Sequence, residues 1–203
     1  MSIATNAPKN PNLILASTSK YRCELLGRLR IPFEVISPQV DETPLTNEST
    51  LELALRLAHA KAAAVAKLHP HAWVIGSDQV ADLCGAAIGK PGNFERALAQ
   101  LQLMRGATVT FHTALCLMKG EMQTTLSVPT EVTFRKLPDD VLENYLLAEE
   151  PYDCAGSAKS EGLGISLLES IKSEDPTALI GLPLIALTGL LRDAGFAIPS
   201  KTN

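Results

Sequence analysis

Hydroxyls and cations crowd one turn of this chain, Ser17-Thr18-Ser19-Lys20-Tyr21-Arg22, directly after an apolar run, Leu13-Ile14-Leu15-Ala16, that predicts a strand. A helix starting there presents backbone N–H groups without intrahelical partners and the positive end of its macrodipole, which together attract anions. The plainer reading of the same turn is an N-cap at Ser19 with solvated charges at Lys20 and Arg22. Farther along, Glu42 and Asp78 each follow a short apolar segment, Glu161 stands in a polar stretch, and Lys90 and Lys159 sit in Gly-containing loops able to approach a ligand closely. Carboxylates and lysines sharing one cleft suit a divalent metal with phosphates. Mg2+ or Mn2+ takes oxygen ligands, one carboxylate serves water as a base, and cations neutralise a departing diphosphate.

These residues need elements to hold them. Leu25, Leu26 and Leu29 draw a helical stripe over 22–29 that Ile31-Pro32 ends, and a short strand at 33–36 follows. A Pro- and acid-rich loop, 37–47, carries Val40-Asp41-Glu42-Thr43. Ser49-Thr50-Leu51-Glu52 is a capping box, and Leu51, Leu55, Ala58, Ala62 and Val65 predict the apolar face of a helix to about residue 68, with Lys61 on its surface. A short strand at 73–77 delivers Asp78 and Gln79 at its end. Asn93 caps a helix to Met104, and 108–118 with 122–134 predict a hairpin about Lys119-Gly120. Pro138 opens a helix to about residue 148, 162–168 predicts a strand, and Asp175-Pro176 and Pro183 open two closing helices ended by Gly195. The hairpin breaks a strict βαβ rhythm. The expected fold is therefore α/β: a mixed twisted β-sheet with helices on both faces and two lobes around a cleft. A single domain over 1–203 is expected, with 1–11 as a flexible extension and 197–203 as a polar tail.

Composition narrows the function. The 203 residues are 46% hydrophobic and 20% charged, and no apolar run reaches the roughly 18–20 residues a bilayer span needs, so a membrane partner is not expected. With a formal net charge of -4 and no block of basic residues, a nucleic-acid polymer is a poor partner, and a small polyanion such as a nucleotide fits better. Cys23, Cys84, Cys116 and Cys154 lack C-x-x-C spacing, which removes the usual zinc pattern and predicts reduced thiols. The first residues show no basic segment followed by an apolar one, so a cytoplasmic location is expected. His69-Pro70-His71 predicts a surface turn, Cys154 a packing thiol, and neither Ser157 nor Ser160 sits in G-x-S-x-G.

The runs at 15–22, Val40-Asp41-Glu42-Thr43, Gly76-Ser77-Asp78-Gln79, Gly89-Lys90-Pro91 and Lys159-Ser160-Glu161-Gly162 resemble, in order and spacing, the signatures of the Maf family of nucleotide pyrophosphatases. The resemblance extends from about residue 12 to 195. It implies a fold related to inosine-triphosphate pyrophosphatases, a divalent metal, and hydrolysis of a nucleoside triphosphate to monophosphate and diphosphate. It also implies Asp78 as proton acceptor and Ser17, Arg22, Glu42, Lys61 and Lys90 as polar cleft positions; on their chemistry Ser17, Arg22, Lys61, Lys90 and Lys159 are expected to bind phosphate, and Glu42 to share a metal with Asp78 or to orient water. Tyr21, Gln79 and Glu161 fall where branches of the family differ, and an aromatic, Gln and Glu there resemble the branch acting on 7-methyl-GTP. Its cationic base and donor edge suit an aromatic face and a carboxylate. Lys20 replaces a proline frequent in relatives, which points to a more mobile loop or an added phosphate contact, and Tyr21 replaces a more frequent tryptophan, which points to looser base selectivity. Hydrolysis of dTTP, UTP or another noncanonical nucleotide is the neighbouring alternative. A nucleotide-binding regulator of septum formation without turnover is the alternative of another class, and a homodimer is left open.

Overall fold

The computed structural model describes residues 11–199. The expected flexible extension and polar tail fall largely outside the described residues. Seven strands form one sheet in the order β2-β1-β3-β5-β6-β7, with β4 paired to β3. These strands are β1 (Leu13–Ala16), β2 (Glu34–Ile36), β3 (Trp73–Leu83), β4 (Ala86–Ile88), β5 (Thr108–Lys119), β6 (Met122–Phe134) and β7 (Leu168–Ser173). β1 runs parallel to β2 and β3, whereas every other pairing is antiparallel, so the sheet is mixed as expected.

Side-chain alternation divides the sheet between two sets of helices. On one face, Val74 and Val80 of β3 and Ala114, Cys116 and Met118 of β5 pack against Ala54, Leu57, Ala58, Ala62 and Val65 of α2 (Thr50–Ala66). On the other face, Ile75, Leu115 and Leu117 meet α1 (Lys20–Gly27) and α5 (Leu184–Asp193) through Leu25, Leu26, Leu187 and Leu191. The far half of the long hairpin uses that second face again, setting Val109, Phe111, Val132 and Phe134 against α3 (Phe94–Met104) and α4 (Asp139–Glu149).

Local signals set several boundaries. The Ser49 hydroxyl and Glu52 carboxylate cap α2 reciprocally, and Asn93 accepts from the Arg96 N–H at the start of α3. The predicted hairpin is present and pairs Thr108 with Thr133 and Lys119 with Met122.

Three expectations are corrected. The strand at 73–77 runs on to Leu83, because β5 pairs with it continuously from Val74 to Asp82 and holds the polar Ser77, Asp78 and Gln79 inside the ladder. The segment 163–167 is a 3-10 turn, and the strand begins only at Leu168. The two closing helices reduce to one, α5, preceded by a strap of turns over 175–182. Asp175 does not open a helix of its own. Its buried carboxylate accepts from the N–H groups of Ile185 (2.6 Å) and Ala186 (3.4 Å), supplying the cap that Pro183 lacks.

Candidate active site

A break beside β3 makes the site. β1 pairs with Trp73 to Gly76 and β4 with Ala81 to Leu83, so among the described residues Ser77, Asp78, Gln79 and Val80 have no strand neighbour on that side. A cleft of about 760 Å³ opens along this gap, a volume suited to a nucleotide. Because successive side chains alternate, Asp78 faces α2 while Ser77 and Gln79 face the 175–182 strap.

Asp78 is 8% exposed and its Oδ1 accepts from Lys61 Nζ at 2.6 Å. Lys61 is 6% exposed, which corrects the expected surface position. The apolar face of α2 is rotated from the predicted one: Leu51 is exposed, whereas Leu53, Ala54 and Leu57 are buried. Lys61 therefore falls in the stripe that packs on the sheet. A close approach makes this possible, since a Cβ on Gly76 would lie 2.1 Å from the Ala58 carbonyl and 2.6 Å from the Ala62 nitrogen. Lys61 Nζ also lies 2.7 Å from Glu42 Oε1, so one ammonium joins the loop carboxylate to the strand carboxylate. Burial pushes the Glu42 carboxyl upward, but the hydrogen bond and charge of Lys61, with Lys90 and Arg22 beyond, hold it below its ordinary value. Both carboxylates keep an oxygen without a protein donor among the described residues.

The 17–22 turn lines the same cleft. Ser17 is buried, and its Oγ accepts from the Ser19 N–H at 3.1 Å, while Ser19 caps α1. Arg22 donates from Nε to the Gly181 carbonyl at 2.8 Å. Burial lowers its pKa, and the Asp78 and Glu42 charges oppose that shift. Lys90, exposed on the loop after β4, also lines the cleft. The two-residue turn Cys84-Gly85, both at positive φ, folds β4 back on β3 and brings that loop to the gap.

Tyr21, Gln79 and Glu161 line the same cleft. Tyr21 donates to Asp153 Oδ2 at 3.4 Å, and burial, with Cys154, Asp153 and Glu161 adding to it, pushes its phenol far above the ordinary range. The ring therefore stays neutral. Gln79 Nε2 donates toward Thr113 Oγ1, the Ala178 carbonyl and the Leu179 carbonyl. Lys159 is the one predicted residue that does not line the cleft. Its Nζ donates to the Glu149 carbonyl at 3.3 Å and lies 3.9 Å from Glu149 Oε1 and 4.0 Å from Asp153 Oδ1, behind the wall that Asp153 and Cys154 form.

The profile of Maf-like proteins matches residues 12–194. The chain belongs to the Maf family. Among its curated Maf-family relatives, the 7-methyl-GTP pyrophosphatase of Cupriavidus metallidurans is 63% identical over 189 residues, covering 92% of this chain and 94% of that protein. Proteins of the same description from Polaromonas sp. and Bordetella avium are 61% and 59% identical, covering 94% and 92% of this chain and 88% and 95% of theirs. The solved Staphylococcus aureus Ham1 protein overlaps 62% of this chain and 72% of its own at 16% identity, with a TM-score of 0.45.

Several cleft residues of this Maf-family chain left no mark in the sequence. Asp153 and Cys154 follow a Pro-containing turn like any other, and Cys154, expected to serve packing, lines the cleft. Leu179, Ile180 and Gly181 also line it, and the strap's backbone carbonyls at 178, 179 and 181 bind Gln79, Arg22 and Ser77. A backbone carbonyl has no side-chain signature. Only the Asp175-Pro176 pair marked the segment, and it marked it as a helix.

Proposed function

We propose that this chain hydrolyses 7-methyl-GTP to 7-methyl-GMP and diphosphate, with Asp78 as proton acceptor, clearing a modified nucleotide from the cytoplasm. The observation that carries the chemistry is the Asp78–Lys61–Glu42 cluster on the wall of a cleft that also holds Ser17, Arg22 and Lys90. The substrate assignment rests on the relatives' described activity, together with Tyr21, Gln79 and Glu161 in the same cleft.

Lys61 holds the Asp78 carboxylate in place, and that carboxylate takes a proton as water adds to phosphorus. The anhydride P–O bond breaks and its electron pair leaves with diphosphate, whose charge Arg22 and Lys90 oppose. Among the described residues no three His, Cys, Asp or Glu side chains converge to hold a metal by themselves. The free oxygens of Glu42 and Asp78 still suit Mg2+ or Mn2+ when phosphate oxygens complete the ligand set. Bound there, the ion would neutralise the triphosphate and polarise the reacting phosphoryl group. Tyr21 would stack on the cationic base, contributing ~0.5–2 kcal/mol.

Diphosphate release from 7-methyl-GTP, GTP, dTTP and UTP, each with Mg2+ and with Mn2+, tests the reading. It predicts that 7-methyl-GTP gives the highest kcat/KM and that Asp78→Asn abolishes turnover in a folded protein. Preference for dTTP or UTP would overturn the substrate, and near-normal activity of Asp78→Asn would overturn the mechanism. Metal-independent nucleotide binding without diphosphate release would point to a regulator.

A further inference from the structure

Thr113 is fully buried in β5, directly opposite Gln79 in the ladder, and belongs to none of the motifs that mark the site. Its hydroxyl donates to the Ala178 carbonyl at 2.9 Å, which uses its single proton. What it turns toward Gln79 is therefore a lone pair. The Gln79 terminus at this point lies 2.9 Å from Thr113 Oγ1, 3.0 Å from the Ala178 oxygen and 2.9 Å from the Leu179 oxygen. An amide oxygen placed there would meet acceptors alone, whereas an NH2 group satisfies all of them by sharing its two protons. The amide orientation is thus set by its surroundings. Both Gln79 protons are spent inside the protein, and Oε1, with no donor among the described residues, is the polar atom left for a ligand in the cleft.

We propose that Thr113 is a positioning residue for base recognition: with the Ala178 and Leu179 carbonyls it locks Gln79 so that the side chain offers a base only a hydrogen-bond acceptor. Such a contact selects a base that presents a donor, as the N1–H and amino edge of a guanine does, and penalises one presenting a carbonyl at that point, because two acceptors then meet without a proton. The hydroxyl is also the joint between β5, the Gln79 side chain and the strap, so its loss releases the amide and the Ala178 carbonyl together. The inference deepens the proposed substrate assignment and rests on it for the identity of the base.

Two measurements test it. Side-chain amide NMR of the folded wild type should show a Gln NH2 pair protected from solvent exchange that disappears in Gln79→Leu, persists in Thr113→Ser and loses protection in Thr113→Val. The ratio of kcat/KM for 7-methyl-GTP over UTP should fall about tenfold in Thr113→Val, chiefly through KM for 7-methyl-GTP, and recover in Thr113→Ser. An unprotected Gln79 amide in the wild type overturns the proposal even if Thr113→Val does not fold. An unchanged ratio, or an equal loss on every nucleotide, overturns it in a Thr113→Val protein that does. A wild type that prefers UTP defeats the substrate assignment instead, and the amide protection still decides whether Thr113 holds Gln79.

Discussion

Lys61 is the residue through which the site's electrostatics pass. One buried ammonium serves both Glu42 and Asp78, so removing it leaves a carboxylate pair with a shared deficit. Lys61→Met is expected to destabilise the fold by about 3 kcal/mol at neutral pH, the scale of an uncompensated buried charge. That penalty should shrink as pH falls below the ordinary Glu42 value of 4.5, because the stability gained from Lys61 holding the Glu42 carboxyl down is lost there, and urea unfolding of variant and wild type at pH 7 and below pH 4.5 checks it. Glu161 predicts a different signature, since it is exposed, lines the cleft and is proposed to read the base. Glu161→Gln should lower kcat/KM for 7-methyl-GTP by about tenfold or more while sparing UTP, as loss of a charge-assisted hydrogen bond requires. A steady-state nucleotide panel measures both effects.

At the scale of elements, α2 and its seat on β3 set the contact between Lys61 and Asp78. Gly76→Ala would drive a methyl group into the backbone of α2, and overpacking of this kind costs about 1–3 kcal/mol. The same displacement would draw Lys61 away from Asp78. The variant should therefore melt earlier and lose kcat beyond what partial unfolding explains, which calorimetry and kinetics at a temperature below both transitions can separate. Before α2, Arg56 and the Leu45 N–H hold the Glu48 carboxyl down to about 2. A depressed carboxyl contributes stability that is present above its ordinary value of 4.5 and lost as pH falls toward about 2. Glu48→Gln should flatten that part of a plot of Tm against pH and leave its neutral region nearly parallel to wild type.

The elements also show what a sequence discloses and what it hides. Ser49 with Glu52 and Asn93 were legible because a cap is a local contract between neighbouring residues. The candidate site residues stood out as motifs, and nine of the ten, all but Lys159, line one cleft. The length of β3 was hidden because polar residues at 77–79 mimic a strand end, and only pairing with a distant partner keeps them extended. The burial of Lys61 was hidden for a related reason: Gly76, which admits α2 so closely, lies fifteen positions downstream on another element. Asp175 imitates a helix start yet caps a helix ten residues away.

Across the whole molecule, the cleft draws its walls from the 17–22 turn, the Glu42 loop, the end of β4, the turn at 153–155 and the strap. A ligand that touches all of them should couple their stabilities. A nonhydrolysable 7-methyl-GTP analogue with Mg2+ at about 100 times its Kd should add about 2.7 kcal/mol. For a chain of this size that corresponds to a rise in Tm of about 5–10 °C. Mg2+ alone should give little shift, because among the described residues no three His, Cys, Asp or Glu side chains converge to hold it without phosphate. Differential scanning fluorimetry with metal, analogue and both distinguishes these cases.

The gap beside β3 has one more consequence, and it concerns parity. Asp78 stands on an even position facing α2, while Ser77 and Gln79 stand on odd positions facing the strap. On the proposed reading, chemistry and recognition are interleaved along a single strand and kept apart only by counting. Substitution at an odd position should then retune which base is accepted without moving the proposed proton acceptor, so the strand is permissive to changes of letter. Adding or deleting a single residue between Gly76 and Ala81 would exchange the two faces at once. Lineages descended from such a chain are free to diversify the alphabet of this segment and are bound to preserve its length.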